Sequence, residues 1–148
     1  MKEKIKAYFE KNNWKYIDNG SVLKLDVDGD GITWYAFFKV DQADNFCCFS
    51  VLPTRISGKR IPTVMRLLNF INTRIWFGDF EIITDGPEAG QVRFRTSAFV
   101  PSGCEEKSTT AIIENVIAYS GAVMNMYGND IIKANYSDSD DIELFIGG

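Results

Sequence analysis

Three aspartates at alternate positions, Asp26, Asp28 and Asp30, precede Gly31 and form the most suggestive metal-binding pattern in the chain. They match the first places of the calcium-binding loop D-x-[DN]-x-[DN]-G-x5-E. That loop needs a carboxylate at its twelfth position, where this sequence has Phe37, and it needs flanking helices. Because both flanking segments have strand patterns, we predict a β-hairpin turn here and no metal site.

Other groups that could perform catalysis are scarce. The chain has no histidine, which excludes Ser-His-Asp and Cys-His catalysis and HExxH zinc sites. Cys47 and Cys48 are adjacent and Cys104 is distant, so there is no CxxC motif. Asp79 and Glu81 lie on one face of a predicted strand, but alternation favours a solvated face for them. We therefore predict a protein without enzymatic activity, metal or cofactor.

The net charge of −4 originates near the end of the chain. Without Asp138, Asp140, Asp141 and Glu143, the chain has 16 acidic and 16 basic residues. All charged residues between positions 45 and 78 are basic: Arg55, Lys59, Arg60, Arg66 and Arg74. They are too dispersed to predict a nucleic-acid interface.

Three of these basic residues, Arg55, Lys59 and Arg60, are candidate partner-binding residues. An acidic protein partner would suit them, and so would the chain's own acidic tail folding back over them. A solvated loop is the third possibility.

Patterns in the first half predict one helix and three strands. Residues 3–11 place apolar side chains at helical spacing. Segments 22–28, 32–40 and 45–53 alternate or are rich in aromatic and β-branched residues, with turn-forming residues between them. They predict a three-stranded antiparallel meander.

The second half begins with a predicted helix that Pro62 opens and Gly78 ends. Strands at 79–85 and 91–99 then form a hairpin. Ser102 and Glu105 have the spacing of a capping box for a last helix, which we expect to end near Tyr127, before Gly128.

The resulting order is α-β-β-β-α-β-β-α, which predicts an α+β domain with an antiparallel sheet over residues 1–135. Residues 136–148 are expected to form a flexible acidic tail. The sequence has neither a membrane-spanning apolar run nor the pattern of a signal peptide, so we expect a soluble, cytoplasmic protein.

Two of the predicted strands, 32–38 and 46–52, are apolar on both faces, as central strands buried on both sides are. Three helices can cover one face of a five-stranded sheet but hardly both. We therefore expect the other face to be covered by a partner, a second protomer or the apolar end of the tail. Long aromatic side chains and the first helix could instead close it internally. The partner-binding residues predicted outside the basic segment are Tyr35, Phe37, Phe49, Val51 and Met124.

Several segments in order resemble the YbjN-type family, named as bacterial sensory transduction regulators. These are "MRLLNFINTRIWFGDFEII", "GQVRFRTSAFVPSG" and "MNMYGNDI". The shared features are Asn72 in a Leu-rich helix, a G-[ND]-F-E strand (78–81) and an R-[YF]-[RK]-T-S strand (93–97). The resemblance covers residues 3–135 and implies a fold similar to type III secretion chaperones and a dimeric, non-enzymatic, protein-binding or regulatory role.

From these observations we expect a homodimeric protein-binding module, chaperone-like or a regulatory adaptor in bacterial stress or signalling, with a protein partner that the sequence does not identify. Nucleic acid and membrane are not expected partners. Two alternatives stay open. One is a small-molecule-binding domain with a pocket between helix and sheet, and the other is a purely structural homodimer.

Overall fold

A six-stranded antiparallel sheet organises the chain, with strands in the order β1-β2-β3-β4-β6-β5. The computed structural model describes residues 1–42 and 44–146. In those residues the strands are β1 (Ile17–Asp18), β2 (Val22–Asp28), β3 (Thr33–Val40), β4 (Phe46–Val51), β5 (Asp79–Ile82) and β6 (Val92–Ala98). The helices are α1 (Lys2–Lys11), α2 (Ile61–Asn72) and α3 (Glu106–Tyr136).

The predicted α+β class, the antiparallel sheet and the meander of β2, β3 and β4 are confirmed. The two-residue strand β1 is absent from the predicted order because two residues carry no detectable alternation. Asp26 and Asp28 of the aspartate-rich segment lie in β2, and Asp30 lies in the turn between β2 and β3, where Gly31 has a φ of +70°. Among the described residues, none of the helices combines the length and the hydropathy of a membrane span.

One face of the sheet is covered by helices. A row of paired residues crosses this face from β2 to β5, and each of its members is buried: Leu25, Ala36, Ser50, Phe94 and Phe80. Because side chains alternate along each strand, the residues between them point to the opposite face. The helices therefore account for only one of the two apolar faces predicted for β3 and β4.

The core under the helices divides into two clusters of buried side chains. Helix α1 contributes Ile5 and Phe9 to the first, and α2 contributes Leu67 to the second. Helix α3 extends over both, with Ile113 in the first cluster and Ile131 in the second. The long last helix thus connects two separately packed halves of the core.

The predicted limits of the last helix are wrong at both ends. Gly128 lies inside α3, where a Cβ atom would lie 2.3 Å from Cδ1 of Ile32. Gly128 therefore permits close packing against Ile32 and does not end the helix, which continues to Tyr136. At the other end, Glu105 is the N-cap residue and makes no capping hydrogen bond through its side chain, so the capping box predicted with Ser102 does not form.

Helix α2 ends at Asn72, six residues before the glycine that was expected to stop it. The Asn72 side chain both donates to the Phe80 carbonyl (3.0 Å) and accepts from the Phe80 amide (2.8 Å), which fastens α2 to β5. Gly78 instead leads into β5 with a φ of +77°, and a Cβ atom there would lie 2.4 Å from the Arg95 carbonyl oxygen.

Gly78→Ala is therefore expected to lower the free energy of unfolding by about 2–4 kcal/mol, because positive φ and a clash with backbone act together. Gly103→Ala is the matched control, since Gly103 has the same φ of +77° and open space around its Cα. It should lose only about 1 kcal/mol, measured by urea unfolding. Equal losses in the two variants would contradict the role assigned to Gly78.

Helix α1 is held against the sheet edge by Asp18 of β1. The carboxylate lies 2.7 Å from Nζ of Lys2 and 3.4 Å from Nζ of Lys6, and it accepts a hydrogen bond from the Gly20 amide. The hydrogen bond from Lys2, followed by that from the Gly20 amide, lowers the pKa of Asp18 from 3.8 to about 2. Its charged form is therefore favoured by folding.

Because the pKa of Asp18 is lower in the folded chain, its stabilisation is complete above the ordinary value of 3.8 and is lost as the pH falls through about 2. As the pH falls from 3.8 to about 2, the free energy of unfolding should decrease less in Asp18→Asn than in the wild type. Urea unfolding at a series of pH values measures this. Asp26→Asn removes an exposed carboxylate of β2 and should retain the wild-type slope. A wild-type slope in Asp18→Asn would count against this anchor.

Candidate binding surface on the open face of the sheet

The face of the sheet opposite the helices includes two central rows of paired side chains, and we call these two rows the open face. The first row is Lys24, Phe37, Phe49, Arg95 and Asp79. The second row is Asp26, Tyr35, Val51, Arg93 and Glu81. In each row, apolar residues occupy the two central strands and charged residues lie to either side.

The four apolar candidates from the sheet lie together at the centre of the open face. Phe37 pairs with Phe49, and Tyr35 pairs with Val51, so they form two adjacent cross-strand pairs on β3 and β4. Residues opposite one another in such pairs have Cβ atoms about 5 Å apart. Tyr35 is 37% exposed, whereas Val51 is only 6% exposed, which corrects its assignment as a partner-binding residue. The accessible apolar part of the open face therefore consists of the rings of Tyr35, Phe37 and Phe49.

Cationic side chains flank these rings. Nζ of Lys24 lies 4.6 Å from the ring centroid of Tyr35, and the guanidinium carbon of Arg93 lies 4.8 Å from that of Phe49. Both distances suit cation–π contacts. Nε of Arg93 also donates to Glu81 at 2.5 Å. The two rows contain three cationic and three anionic residues, so the open face has no net formal charge.

No protein-family model matches the sequence, and a search of curated proteins finds no match. A search of solved structures finds a crystal structure described as "YbjN, a putative transcription regulator from E. coli". The TM-score is 0.67 at 9% sequence identity, and the alignment covers 87% of this chain and 92% of that chain. This chain has a YbjN-type fold. The resemblance read from the sequence motifs is confirmed at the level of the fold.

The basic candidates lie in the connection between β4 and α2, apart from the two rows of the open face. Lys59 is exposed. Arg55 is exposed and donates to the Pro87 carbonyl at 2.5 Å, across to the β5–β6 hairpin. These two residues remain available at the surface of the YbjN-type fold, but the structure does not bring them together with Tyr35 and Phe37.

Arg60 is 6% exposed, which corrects its assignment as a partner-binding residue. Its guanidinium donates to three groups of the chain's own C-terminal part: the Ala134 carbonyl (3.0 Å), the Ser139 carbonyl (2.6 Å) and the Asp140 carboxylate (3.2 Å). Of the possibilities open for the basic segment, folding back of the acidic tail is the one that the structure shows for Arg60.

The segment after α3 packs against α2 as far as the described residues extend, in place of the flexible tail expected from 136 onward. Asp140 accepts a hydrogen bond from the Thr63 hydroxyl (2.7 Å), which, with the nearby Arg60 charge, lowers the pKa of that carboxyl. Phe145 lies in a 3-10 turn (Ile142–Phe145) and is buried in the second core cluster. We call Arg60, Thr63, Asp140 and Phe145 the C-terminal latch.

Met124 is fully buried in the core between α3 and the sheet, which corrects its assignment as a surface contact. It fills core space, the more common role of methionine. The highly exposed large side chains include Trp76 (89%), Phe99 (72%) and Phe77 (71%). We call these three the aromatic edge. Sequence reasoning missed it because Trp76 was placed in the last turns of α2, which ends four residues earlier.

Phe145→Ala should destabilise the chain by about 2–4 kcal/mol, because it removes a buried ring from a packed cluster. Leu144→Ala is the control, because the Leu144 side chain is 69% exposed. This substitution should change the free energy of unfolding by less than about 0.5 kcal/mol. Urea unfolding of both variants provides the measurement. Two equally small changes would show that the latch does not hold the segment in solution.

Proposed function

We propose that this chain is a non-enzymatic protein-binding module, a regulatory adaptor or chaperone-like protein in bacterial stress or signalling, that binds through the open face of its sheet. The observation that carries the proposal is the composition of that face. Aromatic side chains lie at its centre, charges of both signs surround them, and no described helix covers them. A surface of this kind has the anatomy of a protein interface, in which aromatic and arginine residues provide most of the binding energy.

The first partner that we propose for the open face is a second copy of the chain. Two sheets that pack face to face bury their facing side chains in a layer about 10 Å thick, which suits the rings of Tyr35, Phe37 and Phe49. Because the face has three cations and three anions, it can meet a copy of itself without net repulsion. A homodimer built in this way would present its remaining surface, including the aromatic edge, to a further protein.

Chemical observations support a role in binding instead of catalysis. The chain has no histidine. Burial raises the pKa of the Cys48 thiol to about 12, which keeps it protonated and unreactive at neutral pH. The three cysteines are free, which suits a reducing compartment, and we therefore propose a cytoplasmic location.

Phe37→Lys should weaken self-association by about 30-fold or more, because it places a charge at the centre of a buried aromatic cluster. Sedimentation velocity over a concentration series measures this. Two control variants, Met126→Lys on the exposed side of α3 and Trp76→Lys on the aromatic edge, should associate as the wild type does. Circular dichroism of each variant confirms that it is folded.

A wild-type chain that stays monomeric throughout the series would exclude the homodimer. Loss of association in Trp76→Lys with retention in Phe37→Lys would move the interface from the open face to the aromatic edge. A purely structural homodimer would differ from the proposed binding module in one respect. Its interface would bury all of the exposed apolar surface and leave no site for a further protein.

A further inference from the structure

A cleft of about 660 Å³ lies on the helix-covered side of the sheet, between α3 and strands β2, β3 and β4. Small residues line it where the two layers face each other. They are Ala36, Cys48 and Ser50 on the sheet and Ser120 and Gly121 on α3. We call this space the inner cleft. It is separate from the open face, which is on the other side of the same strands.

The inner cleft depends on a small residue in the sequence, Gly121, as well as on the fold. Protein cores are normally packed without voids larger than a water molecule. Here a Cβ atom added to Gly121 would meet nothing within 4 Å, although glycine inside a helix is less favourable than alanine. A larger side chain at this position would fill the space and favour the helix. The volume lies within the range of clefts that bind drug-sized molecules, about 300–1,000 Å³.

The walls of the inner cleft are mostly apolar. They are formed by the side chains of Trp14, Leu25, Val27, Trp34, Phe38 and Ile117. The exposed members of its lining belong to residues 13–17 and to β2, at the sheet edge, so the mouth opens there. Trp14, at 39% exposure, stands at this mouth.

Two buried hydroxyl groups give the apolar space a polar end. Ser50 and Ser120 both line the cleft and are only 1% and 3% exposed. Oγ of Ser120 lies 2.9 Å from Oγ1 of Thr96, and the hydroxyls of Ser50 and Ser120 also hydrogen-bond to the Cys48 thiol. A hydroxyl has one donor and two acceptor positions, so these contacts use only part of the capacity of the two serines. The neighbouring Cys48 thiol is buried and uncharged. The polar end therefore offers neutral donors and acceptors.

Four charged residues line the cleft at its mouth: Lys15, which is exposed, and Lys24, Asp26 and Asp28 of β2. Lys24 and Asp26 alternate with the buried Leu25, and the Lys24 ammonium lies over rings of the open face. A carboxylate in the interior would lose its hydration without gaining a cation, which is costly. The interior favours an uncharged ligand.

We propose that the inner cleft binds a neutral, largely apolar small molecule that carries one hydroxyl or carbonyl group. Its apolar part lies between Trp34, Leu25 and Ile117, and its polar group exchanges hydrogen bonds with the hydroxyls of Ser50 and Ser120. The site is independent of the proposed protein interface, because the two lie on opposite faces of the sheet.

Fluorescence titration with N-phenyl-1-naphthylamine, an uncharged apolar dye, tests the proposal on the full chain, with 1-decanol and decanoate as competitors. We expect the dye to bind and 1-decanol to displace it at a concentration about tenfold or more below that of decanoate, because only decanoate must bury a charge. Gly121→Leu fills the cleft and should weaken dye binding about tenfold or more while raising the midpoint of thermal unfolding.

Ala122→Leu, at the next and exposed position of α3, is the matched control and should bind the dye as the wild type does. Ala36→Leu fills the cleft from the sheet side and gives the same test if Gly121→Leu does not fold. Absence of dye binding, wild-type binding in folded cleft-filling variants, or equal displacement by decanoate and 1-decanol would each overturn the proposal. These readouts do not depend on self-association, so failure here leaves the protein-binding proposal intact.

Discussion

Coverage of the sheet from one side is the constraint on which the other features of the structure depend. A helix of 31 residues, such as α3, is about 46 Å long and can extend across a whole six-stranded sheet. With α1 and α2 beside it, α3 buries one face completely enough to form two core clusters. The opposite face receives no helix, although its central strands carry Phe37 and Phe49. The uneven distribution of helices, more than any single residue, leaves that face uncovered, and the proposed binding surface rests on this.

Local pattern was sufficient to predict the strands and the relation between their faces. Alternation placed Tyr35 and Phe37 on one side of β3 and Trp34 and Ala36 on the other, and the observed register has the same arrangement. Antiparallel neighbours then bring Phe37 beside Phe49. Which side the helices would cover was not predictable, because both sides of these strands are apolar and only the long-range packing of α3 separates them.

Errors arose where a residue type has two physical roles. Glycine ends helices and also permits close approach, and Gly128 was interpreted in the first sense although Ile32, distant in sequence, requires the second. Methionine and arginine presented the same difficulty. Met124 could be an adaptable contact or core filler, and Arg60 could meet a partner or the chain's own carbonyls. In each case the deciding contact comes from a remote segment, which no local pattern records.

The sequence left open a small-molecule pocket between helix and sheet but could not predict which residues line it. A cleft forms where side chains from distant segments leave space unfilled, and local patterns do not record this. The position of the inner cleft gives it a physical relation to the open face. Strands β3 and β4 send Ala36 and Cys48 into the cleft and the adjacent Phe37 and Phe49 to the open face. Neighbouring residues share one backbone, so the cleft and the open face are built on the same two strands. A change in affinity at the open face follows only if the ligand prefers one of two arrangements of these strands, since a ligand with equal affinity for both shifts nothing.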